Sequence, residues 1–136
     1  MPEPQGTLTP AQFEIMRAVW DAGGDGASVA EIWKRIAEGR DITRTTVLNQ
    51  VDRLEERGWL MRRPGEGVLR YTAALDRDAA SGRLAGEFVR DFFGGSAGEL
   101  VQSLLGAGEL ADADIGRLRK LLDRAARDRR GKGGRP

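Results

Sequence analysis

The 136-residue chain has neither cysteine nor histidine. Those two absences remove thiolate and imidazole metal sites, cysteine nucleophiles and every catalytic triad built on a histidine base. No cofactor is therefore expected, and covalent or metal-assisted catalysis is disfavoured. There is also no uninterrupted apolar run long enough to cross a bilayer and no basic-then-apolar start of the secretory kind, so the expected location is cytoplasmic. The length suits one domain of ordinary size, or a small domain with an appended helical segment.

Net charge is almost absent, since 22 Lys and Arg nearly balance 21 Asp and Glu and leave a formal +1. It is not evenly spread. Lys34–Arg70 contains nine basic and six acidic residues, and Arg124–Pro136 six basic and one acidic. Those two stretches carry +3 and +5, which leaves −7 elsewhere. Positive charge concentrated in this way is where a nucleic-acid contact is sought, although a solvated face and a frayed tail give the same pattern.

Three short helices are expected in series. Thr9-Pro10-Ala11-Gln12 combines an N-cap, proline at the first helical position and a capping-box glutamine, and Phe13, Met16, Val19 and Trp20 follow at helical spacing until the Gly23-Gly24-Asp25-Gly26 cluster. Ser28 and Glu31 repeat the capping box ahead of Ile32, Trp33 and Ile36, with a stop at Gly39. Thr43 caps a third helix running to Arg57, and Gly58 stands where a left-handed residue ends it. In that helix Val47, Val51 and Leu54 form one apolar stripe. Thr46, Asn49, Gln50, Arg53 and Arg57 face away from it, with Arg44, Thr45 and Thr46 in the first turn. Side chains of this kind can read base edges or grip phosphates; threonines that merely cap and amides that merely face water are the competing explanation.

The period then changes. Trp59–Arg63 and Val68–Thr72 read as two short strands around Pro64-Gly65-Glu66-Gly67, a hairpin composition. Helix, helix, helix, hairpin is the order of a winged helix. Arg62, Arg63 and Arg70 fall on or beside the wing, where they can meet a phosphate backbone or keep an edge strand soluble. From Asp76 the pattern is helical again, with an apolar stripe through Ala80, Leu84, Ala85, Phe88, Val89, Phe92 and Phe93. Ser96 caps a short helix with Leu100, Val101, Leu104 and Leu105, and a last helix opens near Asp112 with Ile115, Leu118, Leu121, Leu122 and Ala125 on one side. Such helices bury little alone; they gain by pairing with a second chain or by packing onto the first domain. The expected fold is thus mostly α with a small β-hairpin wing. Residues 1–75 form a winged helix-turn-helix, 76–126 a helical dimerisation region and 127–136 a disordered basic tail.

The order and spacing of Leu8-Thr9-Pro10-Ala11-Gln12-Phe13-Glu14-Ile15-Met16, Val19-Trp20, Thr45-Thr46-Val47, Asp52-Arg53-Leu54-Glu55-Glu56-Arg57-Gly58-Trp59-Leu60 and Arg70-Tyr71 resemble the BlaI/MecI/CopY penicillinase-repressor family. Glu109-Leu110 and Ile115–Leu122 are similar to that family's last helix. The resemblance implies a homodimeric repressor on a dyad-symmetric operator. DNA contacts would fall on Thr43, Arg44, Thr45, Thr46, Asn49, Gln50, Arg53, Arg62, Arg63 and Arg70. Leu84, Phe88, Phe92, Leu100, Val101, Leu104, Leu105, Ile115, Leu118 and Leu122 would dimerise. In repressors of β-lactam resistance a membrane sensor with a zinc protease domain triggers cleavage in the dimerisation region. Here the corresponding bond is Ser103-Leu104, which departs from that family's asparagine-phenylalanine bond. The copper-responsive branch binds metal through C-terminal cysteines, which this chain lacks. Leu48, Asn49 and Gln50 differ from the arginine and threonine of the β-lactam repressors' recognition helix, implying another operator.

Three other readings compete. One is a winged helix that binds a protein through its exposed helix. Another is a ligand-sensing regulator with Trp33, Trp59 and Phe88 around an effector. The third is an enzyme using Asp52, Glu55 and Glu56, but these lie on one helix with no phosphate loop or metal cluster near them.

Overall fold

The computed structural model describes residues 3–64 and 67–132. Its elements are α1 (Pro10–Ala22), α2 (Val29–Ile36), α3 (Arg44–Glu56), β1 (Leu60–Arg63), β2 (Arg70–Ala73), α4 (Arg77–Phe93), α5 (Ala97–Gly106) and α6 (Asp112–Lys132). Local chemistry sets most of the boundaries. At Thr9 and at Ser28 the hydroxyl accepts from the backbone N–H three residues on, while the Gln12 or Glu31 side chain accepts from the cap's own N–H at 3.0 Å. Thr43 accepts from Thr46 N at 3.1 Å. Each cap satisfies donors that the first helical turn leaves open. α2 ends at Ile36, one turn before Gly39, because its apolar stripe is spent there.

Two compact units divide the chain, 1–88 and 89–136. In the first, Ile15, Met16 and Val19 of α1, Ile32 and Ile36 of α2 and Val47, Val51 and Leu54 of α3 close on one another, with Trp59, Leu60 and Tyr71 from the hairpin. Full burial of side chains this size stabilises by about 1.5–3 kcal/mol each. Ala80 of α4 belongs to the same core and Leu84 packs against it. The Trp20 indole N–H also donates to Leu75 O at 2.9 Å. This unit consequently reaches beyond residue 75, the boundary suggested by the sequence.

The wing is antiparallel, with Leu60 opposite Ala73 and Arg63 opposite Arg70. A third backbone segment joins it: Ala27 and Tyr71 exchange two N–H···O bonds of 2.9 Å. β2 begins two residues later than the sequence suggests. In this register Leu69 would face Pro64, which has no N–H to offer, and Val68 and Leu69 are left exposed. Of the expected turn, Gly65 and Glu66 lie outside the described residues.

In the second unit, Gly94 and Gly95 at positive φ end α4, and Ser96 accepts from Glu99 N at 3.1 Å to start α5. Asp114 accepts from Ala111 N at 3.1 Å at the head of α6. Where the sequence suggests disorder from Arg127, α6 continues to Lys132; residues 133–136 lie outside the described residues. The continuation follows from helix formers, Ala125, Ala126 and a run of arginines, added to a helix already nucleated. Among the described residues no helix is long and apolar enough to cross a membrane.

Candidate nucleic-acid interface

α3 has one face in the core and one in solvent. Val47, Val51 and Leu54 are at most 2% exposed, whereas Arg44, Thr45, Thr46, Leu48, Asn49 and Arg53 are exposed. The polar half begins at the capped end, where backbone N–H groups and the helix dipole favour an anion. Thr43 is the cap itself, and its Oγ1 lies 2.9 Å from Thr46 Oγ1, so this pair shapes the helix start as well as facing outward.

Arg44 is supported from below. Its guanidinium carbon sits 5.2 Å from the Trp33 ring centroid, and the Trp33 indole N–H donates to Ile42 O at 2.6 Å. One tryptophan therefore ties α2 to the turn before α3 and gives Arg44 a stacking platform. Trp59 is buried, with its N–H on Gln5 O at 3.1 Å. The two tryptophans considered for an effector site thus have structural duties.

Two members of the outward row are held on the flank toward α1. Gln12 Nε2 donates to Gln50 Oε1 at 3.1 Å, which leaves Gln50 half-buried. Arg57 closes α3 and folds back on the N-terminal segment: its Nε donates to Gln5 O at 3.0 Å, and its other nitrogens donate to Thr7 O and to Gln12 Oε1. Arg57 is thus a clamp within the fold. Nor is the solvent face free of acid, because Glu56 is exposed and Asp52 half-buried toward the C-terminal end. The first two turns of α3 carry no acidic residue.

The wing arginines are partnered. Arg62 pairs with Glu55 at 3.0 Å, and that bond raises the Arg62 pKa above its usual value. Arg63 donates to Gly24 O at 2.9 Å. Arg70 contacts Glu31 at 2.9 Å and Gly26 O at 3.3 Å. The Ser28 N–H, with Arg70 adding to it, holds the Glu31 carboxyl below the usual carboxylate range. A phosphate reaching Arg62 or Arg70 must displace a carboxylate. Arg44 and Arg53 enter no ion pair among the described residues.

Leu48, noted in the sequence as a departure from the β-lactam repressors but left out of the expected contacts, is an exposed apolar side chain beside Arg44 and of the kind that contacts a thymine methyl. It lies one position off the buried stripe, and that offset is the signal that could have found it. Of the residues expected to dimerise, Leu84 is half-buried on the first unit's core, and Phe88 and Phe92 are exposed. In the second unit Leu100, Leu104, Ile115 and Leu118 are half-buried, while Val101, Leu105 and Leu122 are exposed, Leu122 by 67%. Ser103 and Leu104 lie within α5.

A capped helix behind a helix-turn, with a three-segment wing at its side, makes the first unit a winged helix. The penicillinase repressor model matches residues 8–124, and the chain belongs to that family. It is a DNA-binding transcription regulator and not an enzyme. No curated protein sequence matches it. Among solved structures it is similar to an E. coli MarR variant complexed with operator DNA, with 19% identity, 87% of this chain and 75% of that chain covered, and a TM-score of 0.49. It is also similar to Staphylococcus aureus MepR, a transcription regulator of the multidrug efflux pump MepA (19% identity, 89% and 79% covered, TM-score 0.47). A third is Bordetella bronchiseptica BpsR, whose DNA binding is regulated by 6-hydroxynicotinic acid (26% identity, 90% and 78% covered, TM-score 0.43).

Proposed function

We propose that the protein is a homodimeric repressor acting in the cytoplasm, with two copies of α3 entering successive major grooves of a dyad-symmetric operator. Arg44, Thr45, Thr46, Asn49 and Gln50 sort bases, while Thr43, Arg53, Arg62, Arg63 and Arg70 hold phosphates and sugars. The observation that carries this reading is the exposed, uncharged-to-basic first half of α3, set on a helix whose opposite face is fully buried. Apolar side chains of residues 76–126 join the two copies, and each half-site alone binds weakly, so whatever separates the helices releases DNA. The Ser103-Leu104 bond is helical. A protease in a sensor pathway would have to open α5 before cutting there, so release by separation does not depend on cleavage.

Selection of bound duplexes from a random pool tests the proposal. The expected product is a palindrome with half-sites about one helical turn apart. Asn49→Ala should relax one base pair per half-site by about 1–3 kcal/mol. Recovery of unrelated sequences, or of none, would refute sequence-specific binding.

A further inference from the structure

The two units of this chain differ in net charge. Residues 1–88 hold twelve basic and fourteen acidic residues, a formal −2, and residues 89–136 ten and seven, a formal +3. Many cations of the first unit are also neutralised in place: Arg35, Arg40, Arg62, Arg70, Arg77 and Arg83 all pair with carboxylates. Such a surface can sort bases at close range but attracts a polyanion poorly from a distance.

α6 is different. Arg117, Lys120, Arg124 and Arg127 recur at i, i+3, i+7 and i+10, which places them in one row along the helix, about 15 Å from first to last. All four are exposed, and none enters an ion pair among the described residues. Asp128 borders the row one turn after Arg124 and does not pair with it. Ile115, Leu118, Leu122 and Ala125 occupy the opposite side of the helix, with Leu121 at its edge beside Arg117, so burying that side against another surface would leave the cations in water. Arg127 joins the row because α6 stays helical through it; in a coil starting at Arg127 it would share no face with the other three.

We propose that this row is a second, sequence-independent contact for the DNA phosphate backbone, supplying the long-range attraction that a winged helix of net −2 lacks. The inference rests on the reading of the chain as a DNA-binding regulator and adds a surface to it. A lipid surface fits less well. A helix lying on a membrane sets aromatic and leucine side chains opposite its cations and gains from attraction to anionic headgroups; α6 has no aromatic residue and carries four aspartates, Asp112, Asp114, Asp123 and Asp128.

The test uses the full chain with Arg117→Gln, Lys120→Gln, Arg124→Gln and Arg127→Gln combined. Glutamine matches lysine and arginine in helix propensity, and circular dichroism checks that helicity is kept. Affinity for the selected operator and for a random duplex is read from about 50 to 200 mM salt. The slope of log affinity against log salt should become shallower by about 0.9 for each phosphate that the variant no longer neutralises, and both duplexes should weaken by one common factor, on the order of tenfold or more. Should the combined variant lose helicity, the Arg117/Lys120 and Arg124/Arg127 pairs replaced separately read the same slope in halves.

An unchanged slope in a variant that still binds would overturn the proposal and leave the regulator reading intact. Equal losses from Arg119→Gln with Arg130→Gln, which lie off the row, would overturn it in favour of diffuse charge. Loss of binding to phosphatidylserine vesicles with DNA binding unaltered would overturn it in favour of a membrane. A wild-type chain that ignores every duplex at low salt would remove the regulator reading, and this proposal with it.

Discussion

A methyl group at position 26 would disturb the wing. Gly26 has φ +78°, and a Cβ there would lie 2.4 Å from Tyr71 O, the atom that accepts from Ala27 N. Gly26→Ala should cost about 1–3 kcal/mol in a urea titration, and a melting curve unchanged from wild type would contradict the role given to this glycine. Glu31 governs part of the acid response. Its folded-state carboxyl is held low by the Ser28 N–H, with Arg70 contributing, so the stabilisation is present above the unfolded-state pKa. It disappears as pH falls from the unfolded-state pKa through the lower folded value. Glu14, bonded to Arg40, acts in the same direction. Melting temperature should therefore fall on acidification, and less steeply in Glu31→Gln, which keeps an acceptor for the cap; parallel curves would exclude Glu31 as a contributor. The caps at Thr9, Ser28 and Thr43 were legible in the sequence because donor and acceptor are three residues apart. The Gln12–Gln50 bond and the Arg57 clamp were not, since their partners are 38 to 52 residues away.

Between elements, the Glu55–Arg62 bond links α3 to β1 and competes with DNA for the wing cation. Glu55→Gln should strengthen binding to specific and random duplexes alike by about two- to fivefold, the scale of an exposed ion pair. In an Arg62→Gln background the same change should do much less, and an equal gain there would mean that Glu55 acts only through its general charge. Element order and type were readable from periodicity and caps, including the α3 stripe of Val47, Val51 and Leu54. Boundaries were less so. β2 starts at Arg70 because strand register opposes Leu69 to a proline, and α6 runs to Lys132 because an established helix extends through good formers more readily than composition alone implies.

For the molecule as a whole, the proposed assembly hangs on exposed apolar residues of the second unit such as Leu105 and Leu122. Leu122→Glu should shift sedimentation toward the single-chain mass and lower operator affinity by at least about tenfold, because each half-site then binds alone. A variant that keeps both its mass and its affinity would place the interface elsewhere. The chain's chemistry class was settled by composition: without cysteine or histidine, thiolate and imidazole chemistry is unavailable in any conformation. Capping patterns, apolar periods and family motifs likewise specified a winged helix, since those signals act over a few residues at a time. Tertiary structure decided which charges are available. Of the basic residues near the recognition helix, Arg40, Arg62 and Arg70 are spent on carboxylates and Arg57 on backbone carbonyls, and a linear count cannot show this because the partners come from distant segments. Where positive charge stays open to solvent depends on which side chains the fold brings within a few ångströms of one another.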